Sequence, residues 1–167
     1  MPELCDVYDQ NKNRTGRVWT RGVPMRLGDY RLVVYAWIFD REGQLLMTRR
    51  HPKKVWGGCW ECTAGGVQAG ETSLQGALRE LREEIGVSFA EKDASLLHSS
   101  LDGNVWIDTW LFQNCRVGEL RLQPEEVTQA KWVGREEYED MCRQGIVVPA
   151  CTRFYEWMKE MEEKNEA

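Results

Sequence analysis

From Arg31 to Phe39 the chain is nearly all apolar or aromatic. A strand with one wet face alternates polar and apolar residues, whereas an unbroken run suggests a buried central strand. Asp40, Arg41, Glu42 and Gly43 then turn the chain, and residues 44–48 return as the strand's partner. Further strands are expected at 56–62, 95–100, 105–114 and 130–133, with a turn at Thr63, Ala64, Gly65 and Gly66 and another at Asp102, Gly103 and Asn104. Helices are expected at 73–84, closed by Gly86, and at 135–144 and 149–163. Residues 4–8 and 15–19 flank a turn rich in Asn, Asp and Lys, so the first 28 residues read as a small hairpin ahead of a core at 30–160. No repeat or linker interrupts this, and the 167 residues form one mixed α/β domain.

Composition narrows the function classes. Hydrophobic residues at 42% supply a core without covalent staples, and 29% charged residues exclude a disordered chain. A net charge of −5 argues against a general nucleic-acid binder, though a nucleotide substrate needs only a few local cations. No apolar run approaches ~18 residues, so no membrane span is expected. No basic region leads into an apolar segment at the N-terminus, so no signal peptide is expected and the cytoplasm is the expected compartment. The six cysteines are then reduced thiols. Cys59 and Cys62 have the spacing of a redox pair or half a zinc site. A zinc site needs a second ligand pair, and His51 and His98 are scattered singles. On a strand the two thiols point to opposite faces, so buried, unremarkable thiols are expected.

The helix at 72–85 carries the chemistry. Glu80, Glu83 and Glu84 stand at i, i+3 and i+4 and share a face. At roughly 100° per residue, Leu74, Leu78, Leu81 and Ile85 gather on a nearly opposite face. A solvated acidic face would be the bland explanation. However, adjacent carboxylates repel, and the C-terminal turn disfavours each negative charge by about 0.3–1 kcal/mol. Breaking two local rules in one turn marks a functional site. A hard divalent cation, which takes carboxylates together with phosphate oxygens, would relieve both costs. Gly76, one turn before Glu80, leaves room for something to approach. Gly65 and Gly66 allow a tight path with exposed amides and carbonyls. Glu71 stands near the helix start, and Arg79 is placed to pair with it or with a neighbour.

Gly65, five residues, Glu71, seven residues, then Arg79-Glu80-Leu81-Arg82-Glu83-Glu84-Ile85-Gly86-Val87 resembles the signature of the Nudix superfamily at every defined position. The resemblance implies an α/β/α sandwich (α+β) with a mixed central sheet, preceded here by the N-terminal hairpin. It implies hydrolysis of a diphosphate linkage in a nucleoside diphosphate joined to another group, with Mg2+ or Mn2+ as cofactor. Carried over residue by residue, Glu80, Glu83 and Glu84 become the metal ligands, with the Gly65 carbonyl beside them. Glu71 and Arg79 become the pair that orients the loop, and Glu80 or Glu83 is the general base. Glu125 and Glu126 are weaker candidates for a base or ligand. Arg49, Arg50, Lys53 and Lys54 form a basic loop that could draw in the diphosphate, with a solvated loop equally open. One of the many tryptophans could stack on a base, with core packing the default for each. Partners are limited to a small nucleotide-like diphosphate. Monomer and homodimer both stay open, dimers being common among relatives.

Asp6-Val7-Tyr8-Asp9, Thr15-Gly16-Arg17 and Trp56-Gly57-Gly58-Cys59-Trp60 also look like the branch related to isopentenyl diphosphate isomerase. The position of that enzyme's reactive cysteine is Gly65 here, with Cys62 displaced, and residues 105–112 lack the glutamate it uses. Hydrolysis is therefore expected, with isomerase activity as the alternative and a non-catalytic binding module as a third.

Overall fold

In a computed structural model, residues 1–113 and 116–167 are described. Strands β1 (Leu4–Tyr8) and β2 (Arg14–Thr20) form an antiparallel hairpin, followed by β3 (Arg31–Phe39) and β4 (Leu45–Arg50). The short β5 (Trp60–Glu61) and β6 (Thr63–Gly66) lead to α1 (Ser73–Ile85). Strands β7 (Ala94–Asp102), β8 (Val105–Gln113) and β9 (Val127–Val133) precede α2 (Arg135–Arg143) and α3 (Phe154–Glu166). The expected strand at 105–114 is β8 up to Gln113; Asn114 lies outside the described residues, as does Cys115.

β3 is the centre of the main sheet. It runs parallel to β8 along its whole length and antiparallel to β6 on its other edge. Leu32, Val34, Ala36 and Ile38 enter one buried cluster with Leu81 and Ile85 of α1. Trp37 enters another with Tyr138 of α2 and Phe154 of α3, and Tyr35 and Phe39 pack against it. The apolar run is thus two alternating faces, each covered by helix, and the architecture is an α/β/α sandwich of mixed α+β type.

Three expectations are corrected. Residues 44–48 do return antiparallel beside β3, but their register is confined to Phe39↔Leu45 next to the turn, and β4 then pairs with β9 from Leu45↔Val133 onward and with β5. Gly65 and Gly66 lie in a strand rather than a turn, opposite Val34 and Val33. The final helix is not continuous from 149. Pro149–Cys151 forms a short 3-10 turn, and α3 starts anew at Phe154, whose N–H bonds to the Tyr138 hydroxyl at 3.2 Å and fixes the entry to the core.

The hairpin packs against the core through paired bonds between Tyr8 and Tyr30 (2.8 and 3.0 Å) and through Ala69 N–H to Leu4 O at 2.8 Å. Among the described residues, no helix is long and apolar enough to cross a membrane.

Candidate active site

α1 is fixed at both ends. Thr72 accepts the Gln75 N–H at 3.1 Å while the Gln75 side chain accepts the Thr72 N–H at 2.9 Å, a closed capping box. Gly86 adopts φ 73° and donates to the Arg82 and Leu81 carbonyls, ending the helix. Between these caps the acidic residues hold a fixed angle to the sheet.

The burial of α1 differs from a simple leucine face opposite an acidic one. Leu81 and Ile85 are buried, but so are Glu80 and Glu84, at 9% and 4% exposure. Leu74 and Leu78 are only half-buried, and Glu83 is exposed. A solvated acidic face is therefore ruled out for two of the three carboxylates. Glu84 Oε2 is buried without a hydrogen-bond partner.

The glycines explain how close the elements come. A Cβ on Gly65 would overlap the Glu80 carboxyl, so the glutamate lies directly against the β6 backbone. A Cβ on Gly76 would stand 3.0 Å from Val67 Cγ2 and 3.5 Å from Glu71 Oε2. The room left there is filled by the 67–71 loop.

Arg79 ties these parts together. Nε and one terminal nitrogen reach the two Glu71 oxygens at 2.7 and 3.1 Å, and that same nitrogen donates to Gly66 O at 2.8 Å. The other terminal nitrogen donates to Glu80 Oε1 at 2.7 Å and Glu83 Oε2 at 3.2 Å. Glu71 Oε2 also accepts the Gln68 N–H at 2.9 Å.

Charge follows from this geometry. Burial opposes the charge on Arg79, but its bonds to Glu71 and Glu80 outweigh it and keep the guanidinium firmly protonated. Burial likewise opposes the Glu71 anion, yet Arg79 and the Gln68 amide hold its pKa below the ordinary value. Glu80 goes the other way, because burial pushes it up further than Arg79 pulls it down. Glu84 is pushed up to about 8, by burial first and then by the Glu80 and Glu61 charges.

Glu80, Glu83 and Glu84 line a cleft of about 170 Å³. Lys54, Arg21 and Gln123 complete its polar wall, with Gly65 and Gln68 at its base. Among the described residues, no three acidic, histidine or cysteine side chains form a ready metal cage; Glu80 and Glu83 are turned toward Arg79 instead. The donors are all hard oxygens, and one of them is buried and orphaned. That set suits a cation that takes a few carboxylates and completes its shell with phosphate and water.

The basic loop divides. Lys54 lines the cleft and pairs with Glu126, which also lines it. Arg49, Arg50 and Lys53 do not line it. Arg50 is locked to both Glu61 oxygens at 2.7 and 2.8 Å, and Arg49 donates to Gly58 O at 2.9 Å. Glu125 is exposed outside the cleft. No tryptophan lines it either: Trp37 is core, and Trp110 Nε1 donates to Ser73 Oγ at 2.9 Å at the start of α1.

Cys62 sits on the other side of the sheet from α1, in the cluster of Trp37 and Phe154, with the Cys151 sulfur 3.9 Å away. Cys59 lies ahead of β5, not on it, and packs against the same cluster, so the expected opposite-face arrangement does not hold.

Sequence reasoning missed Arg21, Glu3, Gln123 and Glu61. Arg21 and Glu3 meet because the β1–β2 register pairs Leu4 with Thr20; the Arg21 guanidinium then bonds Glu3 at 2.7 Å. No local signal marks such residues. They become visible only through long-range pairing, Arg21 and Glu3 by strand register and Gln123 by its backbone bond to Glu84 O.

With this geometry in hand, the chain was compared with known proteins. A family model described as NUDIX domain matches residues 29–157. The chain is 33% identical over 150 residues to an uncharacterized Nudix hydrolase of Listeria monocytogenes, covering 88% of this chain and 89% of that one. It is 32% identical over 110 residues to an isopentenyl-diphosphate Delta-isomerase of Enterobacter, covering 61% and 60%. In fold it is similar to DR0079 from Deinococcus radiodurans, with a TM-score of 0.71 at 22% identity, covering 87% and 92%. It is also similar to a bifunctional NMN adenylyltransferase/ADP ribose pyrophosphatase from Francisella tularensis complexed with AMP and a manganese ion. That match has a TM-score of 0.62 at 17% identity and covers 85% and 43%.

Proposed function

We propose, for a chain that belongs to the Nudix family of hydrolases, that the acidic cleft hydrolyses a diphosphate linkage in a nucleotide-like substrate with the aid of a divalent cation. The observation that carries this reading is Glu84: a buried carboxylate oxygen without a partner, beside the buried Glu80, at the one end of α1 where negative charge is disfavoured. A carboxylate pair left so in a folded protein calls for a cation.

Magnesium or manganese would be held by Glu80, Glu83, Glu84 and the Gly65 carbonyl. When bound, it neutralises phosphate oxygens and lowers the pKa of water. The chain's own residues do the rest. Arg79 and Glu71 brace the 65–71 segment against α1, so the acidic groups need no reorganisation when charge develops. Lys54 and Arg21, rather than Arg49, Arg50 or Lys53, supply the cations for the diphosphate. Glu83 accepts the proton of the attacking water, since it is exposed and its bond to Arg79 is the longer one at 3.2 Å, whereas Glu80 is buried and held by Arg79 at 2.7 Å. The new oxygen–phosphorus bond forms as the bridging one breaks, leaving two phosphate-bearing products.

The neighbour complexed with AMP and a manganese ion supports the nucleotide and divalent-cation reading. A cytoplasmic setting accords with the described cysteines being free thiols. The isomerase alternative needs an acid–base thiol in the cleft. Cys62 is fully buried across the sheet, and burial raises its thiol well above the usual range.

The test is a panel of nucleotide and isoprenoid diphosphates with magnesium, read by phosphate release and product analysis. Cleavage that disappears in Glu83→Gln supports the reading. Absence of turnover on every compound, or conversion of isopentenyl diphosphate to its dimethylallyl isomer without hydrolysis, overturns it.

A further inference from the structure

The N-terminal hairpin lies ahead of the segment that matches the family model, yet it reaches the loop that leads into α1. After β6, Val67 N–H bonds Leu32 O at 3.0 Å, and residues 68–71 then turn toward the helix. Loop amides ahead of a helix can hold a phosphate when they are open. Here all four are taken. Gln68 N–H bonds Glu71 Oε2 at 2.9 Å and Glu71 N–H bonds Gln68 O at 3.1 Å, closing the turn on itself. The other two go to β1: Ala69 N–H bonds Leu4 O at 2.8 Å and Gly70 N–H bonds Asp6 Oδ2 at 2.9 Å.

The hairpin also takes the last carbonyl of the turn. The Arg14 guanidinium of β2 donates to Glu71 O, and its Nε lies 3.4 Å from Asp6 Oδ2. The β1–β2 register slips between Asp6 and Tyr8, and Val7 and Tyr8 are both buried. Such a slip re-aims side chains. Arg14 stands opposite Tyr8, and from there it reaches both Asp6 and the turn.

The consequence runs through Glu71. Its carboxylate holds Arg79, which in turn holds Glu80 and Glu83. Glu71 is thus gripped by its side chain from α1 and by its backbone from the hairpin. Gly70, at φ 85°, has the widest backbone freedom of any residue type, so releasing its amide would loosen the turn.

We infer that Asp6 and Arg14 are positioning residues for the hydrolysis, holding the 68–71 turn so that Glu71 orients Arg79 and, through it, Glu80 and Glu83. The inference rests on the acidic cleft being the hydrolytic site.

Steady-state rates with magnesium are measured on the nucleotide or isoprenoid diphosphate that the wild type cleaves fastest. The variants are Asp6→Ala, Asp6→Asn, Arg14→Gln and Arg17→Gln, which removes a hairpin pair with Asp29 away from the turn. Thermal unfolding midpoints check that each is folded, and Arg14→Gln carries the test if Asp6→Ala does not fold. Loosening of the whole hairpin would carry Arg21 from the cleft and raise KM, whereas a local loss at Gly70 and Glu71 lowers kcat. Asp6→Ala and Arg14→Gln are expected to lower kcat about tenfold or more, with KM within about twofold. Asp6→Asn keeps an oxygen for the Gly70 amide and should recover most of the rate. Arg17→Gln should leave both constants within about twofold. Added to Glu71→Gln, Asp6→Ala should lower kcat by less than about twofold further, because the two act through one chain of contacts. Unchanged kcat in both Asp6→Ala and Arg14→Gln, a rise in KM alone, or full additivity with Glu71→Gln overturns the positioning role and leaves the hydrolase reading intact. A wild type that cleaves no compound of the panel overturns that reading, and this inference with it.

Discussion

The Gly65 backbone lies so close to the Glu80 carboxyl that a single added methyl group would occupy the same space. The obstacle is the far end of a flexible side chain, so Glu80 can move aside and the fold survives. Gly65→Ala is therefore expected to lower stability by no more than about 1–2 kcal/mol, while activity falls by about 100-fold or more, because a displaced Glu80 can no longer act with Glu84. Denaturant unfolding alongside steady-state rates checks this. A variant that keeps wild-type activity would place Glu80 outside the chemistry.

Arg79 holds Glu71, Glu80, Glu83 and the Gly66 carbonyl at once. Its removal strands buried carboxylates. Arg79→Met should cost about 3–5 kcal/mol in urea unfolding, the range for breaking a buried pair by deleting one partner. Arg79→Lys keeps the charge but not the fork, and should recover part of the stability with little of the activity. Wild-type activity in Arg79→Lys would argue instead that Arg79 acts only through its charge.

The pH dependence has a definite sign. Glu84 is raised from the usual 4.5 to about 8, chiefly by burial and then by Glu80 and Glu61. Between those values the unfolded chain has lost the proton while the folded one keeps it. Metal-free stability therefore falls as pH rises from about 4.5 to 8 and levels off above, by a few kcal/mol at most. Glu80 and Glu61 are raised too and act in the same direction. A bound cation needs the carboxylate ionised, so stabilisation by magnesium should grow over that window. Melting temperatures in chelator and in magnesium from pH 5 to 9 test both slopes. Glu84→Gln should flatten the metal-free curve and reduce the response to magnesium.

Lys54 lines the cleft and pairs with Glu126, whereas Arg50 is committed to Glu61. Lys54→Ala is expected to raise KM for a diphosphate substrate about tenfold, with a smaller change in kcat. Arg49→Ala, whose side chain lies outside the cleft, should leave both within about twofold. Saturation kinetics on the two variants separates these outcomes.

Much of this was legible before any coordinates. The β3 run announced a strand covered on both faces, and the spacing from Gly65 to Val87 announced the phosphate-and-metal chemistry, because local periodicity and local motifs carry such information. Long-range pairing was not legible. β4 pairs along its length with β9, far along the chain, and Gly65 is a strand residue because Val34 sits opposite it. Arg21 and Gln123 reach the cleft through a hairpin register and through bonds to the α1 carbonyls, and neither leaves a trace in nearby sequence. The burial of Glu80 and Glu84 was not legible for the same reason: periodicity says which residues share a side, not which element arrives to cover it.

The most direct test of the central claim is the rate of diphosphate cleavage as magnesium is titrated into chelator-treated protein, for wild type and Glu84→Gln side by side. The proposed site predicts no cleavage without the metal, saturable activation in the wild type, and a loss of about 100-fold or more in Glu84→Gln. Cleavage that persists in chelator, or a Glu84→Gln variant that is activated like the wild type, would contradict it.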